Sequence, residues 1–448
     1  MPLSRCGVAF FLPLHSCFFP FRNLHLFCNG RIGPEMNQRR VVVTGMGLVT
    51  PLGHCVNEVW QKLLDGESGI HNLTTLDTTQ YKVHFGGDIA DFDVGGFADP
   101  REVKRLDRFT QFALRAGGTA VVDSGIHFAD EDRTRCGVIL GSGIGGLWEI
   151  EMQIEKMLFK GPDRVSPFTV PKMMLNAAGG NLSIVYELKG PNFAIATACA
   201  SATNAMGEAL RSIRRGETDV VITGGSEAAI TRMGLAAFQN MKALSTRNDE
   251  PARASRPFDA QRDGFVLSEG AGIVIFEELS RAEARGAKIY GEVLGYGTTS
   301  DASHITAPDP EGRGASAAMN AALTDAKMVP EDIDYINAHG TSTPLGDKAE
   351  TVAIKSVFGD HAYNVSISST KSQLGHSLGA SGGIEMVIAT MSVVESLVPP
   401  TINLENPDPQ CDLNYTPLVP QQRTVRAALS NSFGFGGHNA CIIVGKLR

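Results

Sequence analysis

The chain has 448 residues, of which 43% are hydrophobic and 20% charged, with 49 glycines and a formal net charge of -8. This is the balance of an ordinary globular protein with a large core, and the acidic excess argues against general nucleic-acid binding. No run of eighteen apolar residues marks a membrane span, and the eight cysteines form no CxxC pair, which suits a reducing compartment better than a disulfide framework or a zinc site.

Residues 1–35 read unlike the rest, with Arg5, Arg22 and Arg31 against one acid, Glu35, among many Phe, Pro and Cys. Two readings of this extension stand. The preferred one is a start-site artefact with the protein beginning at Met36, which goes with a cytoplasmic location. The other is a transit segment, which would direct the protein to a mitochondrion or plastid. The fold is expected as two halves, residues 36–288 and 289–448.

Val41-Val42-Val43-Thr44 predicts a strand and Val56 to Leu64 a short helix. Between them, Gly45 to Gly53 is glycine-rich but lacks the dinucleotide spacing. Pro100 suits the first position of a helix. Arg101, Lys104, Arg105 and Arg108 would then share one face of it. That face is either solvated surface or a docking patch for an acidic partner. Cys136 to Leu140 predicts a strand, followed by Gly141-Ser142-Gly143-Ile144-Gly145-Gly146. This matches GxGxxG, but no acid-ended strand follows about twenty residues on, so a glycine loop bending around a pocket is preferred to a nicotinamide site.

Asn192 to Ala196 is a short apolar run with the pattern of a buried strand. From Ser201 the pattern becomes helical: Ala202, Ala205, Met206, Ala209, Leu210 and Ile213 recur at three- and four-residue spacing. Cys199 therefore falls where a strand turns into a helix, and a helix N-terminus favours thiolate over thiol. A free cysteine is also a small hydrophobe that cores often bury, so nucleophile and core residue are both open from local sequence.

Strands follow at 219–223, 273–276, 290–297, 333–337, 365–369, 427–432 and 440–445, and helices at 314–326, 347–357 and 379–397. Both halves are strand–helix alternations, which predicts two α/β units with mixed sheets covered by helices. His339 and His376 each lie just past a strand and next to a glycine. In open α/β sheets that is where ligands bind, so two histidines and Cys199 make a candidate catalytic set.

Four motifs in order carry a resemblance: Thr197-Ala198-Cys199-Ala200-Ser201-Ala202, Asn337-Ala338-His339-Gly340-Thr341-Ser342-Thr343, Thr370-Lys371-Ser372-Gln373-Leu374-Gly375-His376 and Asn431-Ser432-Phe433-Gly434-Phe435-Gly436-Gly437-His438-Asn439. From Met36 to the C-terminus the chain resembles the β-ketoacyl-acyl-carrier-protein synthases of the thiolase superfamily, and within them the synthase II class. The resemblance implies a duplicated five-layer αβαβα fold with two mixed sheets, acting as a homodimer. It implies a decarboxylative condensation of malonyl-carrier protein with an acyl chain held on Cys199, with His339 and His376 as catalytic partners. Lys371 is implied as a supporting residue paired with Glu350, and the backbone N–H of Phe435 as an oxyanion donor beside that of Cys199. Thr341 and Thr343 would bind the phosphopantetheine arm. Ile144 and Phe435 match the gate to the acyl tunnel, and Phe433 is placed with the substrate-binding residues. Arg101, Lys104 and Arg105 line up with the carrier-protein contact. No cofactor or metal is implied, and the partner is acyl-carrier protein rather than nucleic acid or membrane. A polyketide ketosynthase shares these motifs, and a non-catalytic chain-length partner shares the fold. His438 departs from the threonine of many relatives and is not assigned a catalytic role.

Overall fold

Strand β1 (Val41–Val49) lies at the middle of a ten-stranded sheet, in a computed structural model that describes residues Arg39–Arg448. The readings made for residues 1–35 lie outside the described residues. β1 runs five residues further than Val41 to Thr44 predicts, straight through Gly45 and Gly47. Those glycines let helix α1 (Arg108–Ser124) lie against the strand: a Cβ on Gly45 would sit 2.1 Å from the Ala120 carbonyl oxygen, and one on Gly47 1.9 Å from that of Ala116. Here glycine marks close backbone approach inside a strand, not a loop.

The other strands are β2 (Cys136–Gly141), β3 (Asn192–Ile195), β4 (Val220–Glu227), β5 (Gly270–Glu278), β6 (Gly291–Ser300), β7 (Tyr335–Asn337), β8 (Ser366–Ser368), β9 (Ala427–Gly434) and β10 (His438–Gly445). Their order is β8-β7-β9-β10-β6-β1-β5-β4-β2-β3. Read outward from the centre, each half has the same sequence of strands: first, fifth, fourth, second, third. The parallel and antiparallel pairings repeat as well: β4 with β2 and β2 with β3 are parallel, as are β9 with β7 and β7 with β8. The two five-stranded sheets are joined where β1 pairs with β6 at Val42↔Glu292 and Val43↔Gly291. The duplication is a matter of topology, so it needs no repeat in the sequence.

Two helices form the middle layer, α3 (Ser201–Arg214) and α6 (Ser381–Glu395), packed on each other and on strands of both halves. Each follows the third strand of its half. The outer layers include α1 on one sheet and α4 (Arg313–Ala326) on the other; α2 (Leu147–Lys160) and α5 (Pro344–Phe358) follow the second strands. All six apolar positions counted on α3 are fully buried. Among the described residues, Leu378–Glu395 is long and apolar enough to cross a membrane, but 89% of it is buried in the protein, so it is a core segment. It is not a continuous apolar run, because Gly, Ser, Thr and Glu385 interrupt it.

One strand differs from its expected setting. β3 is at the sheet edge, and Asn192 and Phe193 are exposed. Its apolar run therefore reflects an uncovered edge, not burial between neighbours.

Candidate active site

The third strand of each half ends on the same side of the sheet, and the two chain segments beyond them meet. After β3, Ala198 turns with φ +49°, and Cys199 precedes the first residue of α3 by two positions. The N–H groups of Ala200 and Ser201 donate to the carbonyls of Thr197 and Ala198. Those of Cys199 and Phe435 are left to act on the sulfur. Gly434 permits this approach, since a Cβ there would lie 3.0 Å from the Cys199 nitrogen. Burial nevertheless pushes the Cys199 thiol up to about 12, against the pull of Lys371 and the two N–H groups. Burial thus opposes the thiolate that the helix N-terminus favours. The first donors of α3 serve the turn, and the sulfur sits among Ile144, Leu378 and other apolar side chains.

His376 follows β8. Its backbone is clamped on both sides, its N–H donating to Val266 and its carbonyl accepting from Ser268. Its Nε2 is 3.0 Å from Cys199 Sγ, and its Nδ1 is 3.0 Å from Ser381 Oγ at the start of α6. His339 follows β7. Its N–H and that of Gly340 donate to Glu350 at 2.9 and 2.8 Å, and the Asn431 amide donates to the same carboxylate. The two imidazoles stand edge to face with centroids 5.4 Å apart. One ligand-type atom from each of Cys199, His339 and His376 falls within 4.8 Å of the others. Burial, with Lys371 nearby, holds both histidines well below their ordinary pKa, and His376 adds to the effect on His339. Both rings are neutral, and each can donate one N–H.

Lys371 pairs with Glu385, not Glu350. This corrects the expected partner. Glu350 is occupied in fixing the His339 loop, and Glu385 projects from α6 across from Lys371. Burial pushes the Glu385 carboxyl up to about 7 against the pull of that ammonium. The sequence marked Glu385 as a charge in need of a partner, since it is the only charge between Ser381 and Val394, but nothing local names that partner.

The three residues open onto a cavity of about 450 Å³, lined also by Ile144, Thr341, Thr343, Phe433 and Phe435. The hydroxyls of Thr341 and Thr343 are 3.0 Å apart. The GxGxxG stretch is a pocket wall, in keeping with the preferred reading of it. His438 opens β10 opposite Ser300 and Gly434.

The basic stretch departs from the predicted single helix. A helical turn covers only Pro100–Val103, and a new helix begins at Arg108 behind its Asp107 cap. Arg101, Lys104 and Arg105 are exposed. Arg105 pairs with Glu102 and stands over Phe168. Arg108 instead turns inward to the buried Glu269 and the Ile89 carbonyl, so it does not share their face.

Residues 38–282 match the family described as Beta-ketoacyl synthase, N-terminal domain, and residues 290–405 match Beta-ketoacyl synthase, C-terminal domain. The chain belongs to the β-ketoacyl synthase family. It is 51% identical over 414 residues to a 3-oxoacyl-[acyl-carrier-protein] synthase 2 of Synechocystis sp., covering 92% of this chain and all of that one. The crystal structure of a Beta-ketoacyl synthase from Burkholderia phymatum superimposes with a TM-score of 0.85 at 35% identity, covering 92% of this chain and 100% of that chain. A type II PKS acyl-carrier protein in complex with its ketosynthase bound to the hexaketide gives 0.84 at 33%, with the same coverage. These thiolase-fold ketosynthases share the duplicated arrangement described above. Sequence reasoning missed Glu227, an acid just past the strand expected at 219–223; it ends β4 behind the Ile144 loop.

Proposed function

We propose that the protein is a β-ketoacyl-acyl-carrier-protein synthase of fatty-acid synthesis. It extends an acyl chain by two carbons through decarboxylative condensation with malonyl-carrier protein. The observation that carries this is the meeting of Cys199, His339 and His376, drawn from both halves, on one cavity.

Loading comes first. His376 Nε2 takes the thiol proton as Sγ attacks the acyl thioester. The oxyanion is held by the N–H groups of Cys199 and Phe435, each such donor being worth about 3 kcal/mol. As the carbonyl reforms, the carrier's thiol leaves with the proton from His376. Malonyl-carrier protein then enters with its arm along Thr341 and Thr343. The carboxylate departs as carbon dioxide and its bonding pair moves into the thioester as an enolate. Neutral His339 donates an N–H bond to that oxygen where the charge develops, and so does His376 once its proton lies on Nε2 and Nδ1 accepts from Ser381 Oγ. The enolate carbon attacks the acyl carbonyl, the C–S bond to Cys199 breaks with its electron pair going to sulfur, and the thiolate takes up one proton from solvent. Every role is filled by a group of the chain or its substrates, so we propose no cofactor; exhaustive chelation should leave the rate unchanged.

The exposed Arg101, Lys104 and Arg105 support docking of an acidic carrier protein, whose long-range attraction is screened by salt. A homodimer is supported by the open edge at β3, where Phe193 is exposed, and by exposed Ile184 on the helix Ala177–Tyr186 packed beside it. Sedimentation should show a species of twice the chain mass. The division into halves 36–288 and 289–448 is proposed on the repeated strand order.

A polyketide ketosynthase is the second reading, favoured by the ketosynthase and carrier-protein complex that shares the fold. Identity of 51% to the synthase 2 relative against 33% to that complex supports the fatty-acid reading. The deciding experiment is mass spectrometry of products from acyl- and malonyl-carrier protein across acyl lengths. One two-carbon extension that stops at the 3-oxoacyl stage is expected; repeated extension to a poly-β-keto chain would favour the polyketide reading. Absence of any 3-oxoacyl product would overturn the proposal.

A further inference from the structure

Glu227 is fully buried at the end of β4 and lies between two loops of the site. Its Oε1 accepts from Ser142 Oγ at 3.0 Å, Ile144 N at 3.1 Å and Gly145 N at 3.3 Å. Its Oε2 accepts from Gly143 N at 2.6 Å and Gly379 N at 3.1 Å. All five donors are neutral, and four belong to the backbone. The first group is the loop that carries Ile144 beside the nucleophile. The fifth donor belongs to the turn Leu378–Ala380, just after His376, whose Leu378 lines the same cavity.

The surrounding glycines are shaped to this carboxylate. A Cβ on Gly143 would lie 2.8 Å from Oε2, and one on Gly379 would lie 2.6 Å from it and 2.3 Å from the Gly143 nitrogen. Gly145 has φ +77°, which an L side chain rarely adopts. Successive N–H groups of a loop can converge on one anion only in such a tight curve. The conformation of the Ile144 loop is therefore set by what it wraps around.

We propose that Glu227 is a positioning residue that fixes the acyl gate, and so sets which chain lengths load onto Cys199. Glu227 touches neither sulfur nor substrate in this scheme. It acts through Ile144 on one side and through the Leu378 turn on the other. With the anchor weakened, Ile144 is no longer held beside the sulfur, and discrimination among chain lengths flattens. The inference rests on the synthase reading above.

The test compares acylation of Cys199 by acyl-carrier proteins of different chain length, read by intact mass against time. For wild type, the two donors with the largest rate ratio are chosen. Glu227→Gln keeps size but brings an NH₂ against N–H donors. It should move that ratio toward one by more than threefold. A merely structural role would lower both rates by the same factor. A ratio within threefold of wild type overturns the proposal. Should Glu227→Gln fail to fold, Ser142→Ala removes one donor and leaves the carboxylate; it should shift the ratio the same way by more than twofold, and a smaller shift overturns the proposal. If wild type takes acyl from no donor, the synthase reading has failed. If wild type discriminates and the variant discriminates equally, only the role of Glu227 has.

Discussion

The loop after β2 and the loop after β7 hold equivalent places in the two halves, and both are held by a buried carboxylate. Glu227 takes the N–H groups of Gly143, Ile144 and Gly145; Glu350 takes those of His339 and Gly340. The source of the acid differs, β4 in one case and α5 in the other. So does the cargo. One loop presents an apolar side chain to the cavity and the other an imidazole. A duplicated fold thus offers the same backbone device twice, tipped by an apolar side chain in one half and an imidazole in the other. The third strands show the same division, with the nucleophile beyond β3 and the histidine that contacts it beyond β8.

The sharpest way to break this comparison is to remove the centre of the N-terminal half alone. Cys199→Ala should abolish acyl transfer yet keep malonyl decarboxylation, because the imidazoles that hold the enolate remain. Loss of carbon dioxide release in the folded variant would show that the halves do not divide the work. Next in size, His339→Gln should slow decarboxylation by about 10²–10³-fold while loading of Cys199 falls less than tenfold, since of the two imidazoles it is His376 whose Nε2 lies 3.0 Å from the sulfur. Equal losses in the two assays would contradict the assignment.

A third test concerns stability. Lys371→Met leaves Glu385 buried without its counter-ion, a change that costs roughly 3–5 kcal/mol and should lower the thermal midpoint. The sign with pH follows from the raised Glu385 carboxyl. Without Lys371 the carboxyl rises above the value of about 7 it has beside the ammonium, so the penalty grows as pH rises above the ordinary carboxylate range and shrinks as pH falls and the carboxyl takes up a proton. A midpoint equally depressed at pH 8 and pH 5.5 would argue against the pair. The histidines give the opposite sign. Both are held below their ordinary pKa, so the decarboxylation rate should stay level from pH 8 to 6 and fall only at lower pH. A half-loss near pH 6.5 would mean ordinary, solvated rings.

The elements themselves were largely legible. Val56–Leu64 has the predicted ends, and the buried stripe of α3 is the one its spacing predicts. Cys199, His339 and His376 could be singled out because each follows a strand and borders residues with little side chain. What the sequence hid was long-range. No local pattern says that Lys371 reaches Glu385 rather than Glu350, because both acids lie on helices and only the packing of α6 decides. Glycine was ambiguous: Gly45 and Gly47 lie inside a strand, whereas Gly143 and Gly145 curve around Glu227. Helical spacing also put Arg108 on the basic face, although buried Glu269 draws it inward. The smallest predicted effect belongs to that face. Reversing charge at Arg101 and Lys104 should raise the KM for carrier protein severalfold at low salt and little at high salt. Kinetics unchanged at both would remove the docking patch.

The most direct measurement of the central claim is the intact mass of the folded protein after mixing with acyl-carrier protein, followed by peptide mapping. One acyl group per chain is expected, located on Cys199 and discharged when malonyl-carrier protein is added. An active, folded enzyme whose Cys199 stays unmodified, or whose acyl group sits elsewhere, would contradict it.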